Sequence, residues 1–158
     1  MDIELQHAVE NLLARYVHAL DEGRLEEWPE FFVETGRYRI TTAENFERGL
    51  PLSILYADSR AMLRDRVTAL RHANIYEAQR YRHTISSTLV ERQGANTVRA
   101  VSHFQVLRIM HTGETMLFAS GRYLDLIRLN GKGGQPQFEE KVAVCDSRRF
   151  DTLLAIPL

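Results

Sequence analysis

At about Arg80 the apolar residues of this chain stop recurring at three- and four-residue steps and begin to alternate, and the change is not reversed. Before it, Ile3, Leu5, Ala8, Val9, Leu12, Leu13, Tyr16, Val17 and Leu20 form one continuous stripe over five helical turns, with Asp2 placed to cap the start and Gly23 to end it. After it come three long β-rich runs, Tyr81 to Arg92, Thr97 to His111 and Thr115 to Leu129, separated only by Gln93-Gly94-Ala95-Asn96 and Thr112-Gly113-Glu114. Links that short can only turn a strand back on its neighbour, so the pairing they make is antiparallel. Helices first and a meander afterwards predict an α+β fold, with N-terminal helices packed on one face of a curved antiparallel sheet.

The remaining elements are shorter. Leu25, Trp28, Phe31 and Phe32 mark a second, brief helix, with Pro29 in its first turns where a missing amide proton costs little. A short strand is expected from Arg37 to Thr41, then an irregular stretch through Gly49 and Pro51 with the apolar run Leu52, Ile54, Leu55 and Tyr56. Asp58 is placed to cap a third helix that carries Met62, Leu63, Val67 and Leu70 on one side and Arg60, Arg64, Asp65 and Arg66 on the other. A turn at Asn130-Gly131-Lys132-Gly133-Gly134 leads to a last strand around Phe138 to Asp146 and an apolar ending, Leu153 to Leu158. In the central run, Val98, Ala100, Phe104 and Val106 fall on one face while Val101, Leu107 and Ile109 fall on the other, so both faces of the sheet need covering. A second chain is the expected cover.

Composition narrows the function. One domain over 1–158 is expected from a length of 158 residues, and 44% hydrophobic with 26% charged residues is enough to build a core. A net charge of −1 supplies no field for a nucleic acid or an anionic membrane surface, and neither is expected as a partner. No run of eighteen apolar residues and no basic-then-apolar leader is present, which reads as cytoplasmic. Cys145 is the single cysteine, so no disulfide, cysteine-based zinc site or iron–sulfur cluster can be assembled from this chain alone.

None of the six histidines belongs to a helical His-x-x-x-His pair with a nearby acid. No Gly-x-Ser-x-Gly elbow occurs, and Cys145 follows the apolar Val142-Ala143-Val144 as a buried thiol would. Gly131-Lys132-Gly133-Gly134 lacks phosphate-loop spacing, and Gly121 inside a strand suggests a bulge or bend. His83, His103 and His111 fall on neighbouring strands with Tyr81, Tyr123 and Asp125 near them. Two readings of that set stand side by side: a pocket with a His–Asp pair for proton transfer, or polar groups bonding across an interface.

The order of elements resembles the cone shared by nuclear-transport-factor-like (cystatin-like) proteins, ketosteroid isomerase and scytalone dehydratase. Four segments are similar to one branch of it, the small (β) subunit of aromatic-ring-hydroxylating dioxygenases: Tyr16 to Phe32, Ile75-Tyr76-Glu77 with Arg80-Tyr81-Arg82-His83, Ser120 to Asp125, and Val144-Cys145-Asp146-Ser147 through Leu158. The resemblance implies a structural chain with no catalytic, cofactor-binding or metal-binding residues of its own. Its partner is a large (α) subunit carrying a Rieske [2Fe–2S] cluster and a mononuclear Fe(II) and fed by NAD(P)H-derived electrons. Three copies of each chain assemble in such an α3β3 enzyme, and this chain self-associates as a trimer. Arg82, His83, His103, Arg122, Asp125 and Asp146 are the expected interface residues. Leu107 to Glu114, Phe118 to Gly121 and Asp151 to Leu158 further resemble the branch acting on carboxylated aromatics such as terephthalate. The alternative is a stand-alone dehydratase or isomerase of the same cone with His83, His103, Tyr123 and Asp125 in its own pocket.

Overall fold

The computed structural model describes residues 2–72, 78–147 and 156–158. Helix α1 spans Ile3–Asp21, and the Asp2 carboxylate accepts from the Leu5 amide at 3.1 Å. Leu5, Val9, Leu12, Leu13, Tyr16, Ala19 and Leu20 are buried, but Ile3 at the end of the stripe is 71% exposed. Gly23 has φ 74°, the left-handed conformation that ends the helix. The expected second helix, Leu25–Phe31, is of the tighter 3-10 type, and Phe32 begins strand β1 (Phe32–Thr42). That strand starts five residues before the Arg37 expected from the sequence.

The stretch after β1 contains a helical turn, α2 (Ala43–Glu47), capped by the Thr42 hydroxyl, which accepts from Asn45 N at 3.2 Å. Strand β2 (Leu55–Ala57) is short. Helix α3 (Arg60–His72) buries Leu63, Val67 and Leu70, while Met62 stays 41% exposed. Its cap is Ser59, whose hydroxyl accepts from Met62 N at 3.3 Å, one residue later than the expected Asp58. Arg60 donates to the Phe32 carbonyl and to Glu34 at 2.7 Å, and Arg71 grips both carboxylate oxygens of Glu26 at 2.7 and 3.0 Å. These two arginines pin α3 to the start of β1 and to the 3-10 helix. The guanidinium holds the Glu26 carboxyl down at about 2.

Strands β3 (Gln79–Arg92), β4 (Thr97–Met110), β5 (Thr115–Arg128) and β6 (Gln137–Cys145) complete a sheet of order β2-β1-β6-β5-β4-β3. The meander is antiparallel, as its hairpins require. The pair β1–β6 is parallel, because the chain returns to β1 only after the whole meander and enters beside it in the same direction.

Four register shifts interrupt the sheet: one between Phe32 and Arg37 of β1, one between Leu126 and Ile127 of β5, and two bulges, in β3 and β5. One residue too many lies between Ser86 and Leu89 of β3, where Ser87 takes φ 54°, and Phe118 of β5 is the extra residue opposite Val106 and Leu107. Gly121 lies beyond that second bulge and answers a different need. A Cβ there would lie 2.0 Å from the Val144 carbonyl oxygen, so β6 can approach β5 only over glycine. The concave face carries Val98, Ala100, Phe104 and Val106, all fully buried under α1, α3 and the 3-10 helix. Buried residues from Leu5 to Leu158 form one core cluster. The segments Ile75-Tyr76-Glu77 and Asp151 to Ala155, which the sequence analysis singled out, lie outside the described residues.

Candidate functional site: the polar interior of the cone

Burying a charge is costly unless it is paired, so the informative residues of a cone are the polar ones on its inner face. Alternation puts Tyr123 and Asp125 of β5 on that face, and the register sets Asp125 opposite Lys141 of β6. The Lys141 ammonium donates to both carboxylate oxygens of Asp125 at 3.2 Å, with both side chains fully buried. Three rings surround the cation: Tyr123 at 3.6 Å, Phe138 at 4.6 Å and Tyr16 at 4.7 Å from the ammonium nitrogen. Burial pushes the Asp125 carboxyl up to about 6 against the opposing pull of Lys141, and burial likewise lowers Lys141 against the hold of Asp125.

A second pair lies toward the β3 edge. Asp21, the last residue of α1, accepts the His83 backbone N–H at 2.9 Å and meets the His83 ring Nδ1 at 2.6 Å. The His83 side chain is wholly buried and that of Asp21 nearly so. The other ring nitrogen, Nε2, is buried and has no hydrogen-bond partner among the described residues. The hydroxyls of Tyr123 and Ser102 are likewise buried without a partner. Ser102 and Tyr123 face one another across β4 and β5.

The four residues of the alternative pocket are therefore divided. His83, Tyr123 and Asp125 point inward, whereas His103 is exposed on the convex face. The interior around them is occupied by packed rings, with Phe104 stacked on Tyr123 at 4.4 Å and Tyr16 edge-on to Phe138 at 5.5 Å. Among the six expected interface residues, His83 and Asp125 are corrected by their placement. Both are turned into the core, where Asp21 and Lys141 already pair them.

Arg82, His103, Arg122 and Asp146 are exposed. Three of these, His103, Arg122 and Asp146, line an open cleft of about 430 Å³ between α2 and the convex face, and the Arg122 guanidinium lies 5.7 Å over the Phe46 ring.

Sequence reasoning missed Asp21 and Lys141. For Asp21 a signal existed: a carboxylate in the last turn of a helix opposes the helix dipole, and something has to compensate it. For Lys141 the signal was its place in a run, Lys141 to Cys145, that is otherwise apolar.

The donor set does not fit a resident Rieske cluster. That cluster takes two cysteines and two histidines, and the single thiol here, Cys145, is buried with its pKa pushed up to about 12 by that burial. Among the described residues no three of His, Cys, Asp and Glu come together as metal ligands. No helix of the described residues is long and apolar enough to cross a membrane.

Helices closing the mouth of a curved sheet, over a polar but filled interior, define a SnoaL-like cone, and the SnoaL-like domain family model matches residues 1–134. The terephthalate 1,2-dioxygenase terminal oxygenase component subunit beta 1 of Comamonas sp is 46% identical over 155 residues, 98% of each chain. The anthranilate 1,2-dioxygenase small subunit of Burkholderia cepacia is 36% identical over 157 residues, covering 99% of this chain and 96% of that one. A crystal structure described as the beta subunit of an aromatic-ring-hydroxylating dioxygenase from Novosphingobium aromaticivorans superposes with a TM-score of 0.87 at 35% identity, covering 97% of this chain and 96% of the other. The chain belongs to the small subunits of aromatic-ring-hydroxylating dioxygenases, in preference to the stand-alone dehydratases that share the cone.

Proposed function

We propose that this chain is the structural small subunit of an oxygenase whose large subunit dihydroxylates a carboxylated aromatic of the terephthalate type. The near full-length identity to the Comamonas subunit carries this reading, and the second relative is also named for an aromatic acid. The Rieske [2Fe–2S] centre and the mononuclear Fe(II) belong to the large subunit in this scheme, with electrons drawn from NAD(P)H. A cationic group there, best an arginine able to grip both oxygens, holds the substrate carboxylate.

The convex face suits the supporting role. Leu89, Val101, Leu124 and Val142 stand in register across four strands, and Leu89 is 74% exposed. Rows of charge flank them, with Arg99, Glu140 and Arg37 on one side and His103 and Arg122 on the other. Three copies around a threefold axis cover such a surface on every copy, and the assembly is three large with three small subunits.

Co-purification with a co-expressed large subunit of such an oxygenase tests the reading. Native mass measurement is expected to give equal numbers of two chains in multiples of three. With its electron donor the complex is expected to consume oxygen with terephthalate and not with naphthalene. A one-to-one heterodimer rejects the assembly, and preference for the neutral hydrocarbon rejects the substrate.

A further inference from the structure

The floor of the cleft beneath α2 is a small polar grid laid across four strands. Ser86, His103 and Arg122 stand side by side on β3, β4 and β5, and two residues along the same strands come Thr84, Gln105 and Ser120. Asp146 follows Cys145 at the end of β6 and is held beside that second row by its amide, which donates to the Ser120 carbonyl at 2.8 Å. Side chains two positions apart share a face, so the two rows lie about 7 Å from one another on the convex side. Glu47 of α2 stands on the rim, and Ala43 and Val144 add apolar surface.

Charges in this cleft lack the partners that others on the same surface have. Arg37 pairs with Glu140 at 2.8 Å and Arg128 with Glu139 at 2.6 Å. Among the described residues Arg122, Glu47 and Asp146 make no ion pair, and the Arg122 guanidinium rests instead 5.7 Å over the Phe46 ring. His103 donates through a ring N–H in either tautomer. One row therefore offers a cation with a neutral donor beside it, and the next a carboxylate with hydroxyls. They share a space of about 430 Å³, inside the range of about 300–1,000 Å³ that small-molecule sites occupy.

We propose that this cleft binds a ring carboxylate that carries two neighbouring hydroxyl groups. Arg122, with His103 beside it, takes the carboxylate, because a guanidinium can donate to both of its oxygens. Asp146 takes the hydroxyls, because an ionised carboxylate only accepts and its two oxygens serve two O–H donors. The separation of the rows is about the span from a carboxylate to a hydroxyl on the far side of a six-membered ring, and Ala43 and Val144 meet the ring between them. A diol acid of this kind is what dihydroxylation of a carboxylated aromatic yields, so calling it the product rests on the function proposed above, while its recognition rests on the cleft alone.

Calorimetry on the intact chain with 3,4-dihydroxybenzoate, benzoate and catechol separates the two ends of the site. The chain is expected to bind 3,4-dihydroxybenzoate at least tenfold more tightly than either fragment. Arg122→Gln is expected to lower that affinity to the level of catechol and Asp146→Ala to the level of benzoate. Arg99→Gln, at an exposed arginine on the other side of the apolar row, leaves it unchanged. Equal affinity for the three probes, absence of binding, or full affinity in Arg122→Gln overturns the proposal. Co-purification and oxygen uptake test the subunit reading separately, so the failure of either is distinguishable from the failure of the other.

Discussion

Lys141 and Asp125 show how a single buried pair constrains a fold. Each charge is tolerable only because of the other, so truncating one leaves an uncompensated ion inside the protein at a cost of about 3–5 kcal/mol. Lys141→Met is expected to destabilise by that amount in urea unfolding. Adding Asp125→Leu is expected to recover most of it, since apolar side chains of similar volume replace buried pairs at little net cost. A single-variant loss below about 1 kcal/mol counts against this account.

The pair also carries a pH signature. Burial raises the Asp125 carboxyl from 3.8 to about 6 in the folded state. Its protonation therefore contributes stability that is fully present below about pH 4 and is lost as pH rises through 6. The carboxyl-carbon resonance of Asp125 is expected to titrate near 6, and to titrate higher in Lys141→Met. An ordinary midpoint in both proteins contradicts the assignment.

Among the elements, the contact between β5 and β6 is the most sharply determined. Gly121 admits no Cβ because the Val144 carbonyl occupies the space, whereas Gly94 in the β3–β4 turn has nothing within 4 Å. Gly121→Ala is expected to cost about 1–3 kcal/mol through strain and displaced strands, and Gly94→Ala close to nothing. In a chain of this size each kcal/mol moves the melting temperature by about 2–4 °C, so thermal scans of the two variants separate them. Equal melting of the two variants rejects the close-approach argument. The glycine itself was visible in the sequence, and alternation around it marked a strand. What it accommodates was not visible, since Val144 lies more than twenty residues away and reaches Gly121 only through the pairing of β5 with β6.

At the scale of the molecule, the two faces of the sheet have different fates. The concave face is closed by the chain's own helices, and the convex face keeps an apolar row in register across β3, β4, β5 and β6. Leu89→Arg, at the exposed end of that row, is expected to leave the circular dichroism and folding stability nearly unchanged, as for other exposed substitutions within about 0.5 kcal/mol. Sedimentation is expected to show loss of the proposed complex of three large and three small subunits. Retention of the full complex by this variant removes the convex face from the proposed trimer contact.

Periodicity alone determined α1, α3, the three-stranded meander and which residues of β4 face the core, because these depend on neighbours three, four or two positions away. The single cysteine and the balanced charge bounded the chemistry in the same way, as counts that need no geometry. The parallel return of β6 beside β1, the Asp21–His83 and Asp125–Lys141 pairs, and the seating of Leu158 between Tyr16 and Tyr38 were decided by the tertiary structure. Each joins residues distant in sequence across the core, and a charged or polar side chain shows its partner only once folding has taken both away from water.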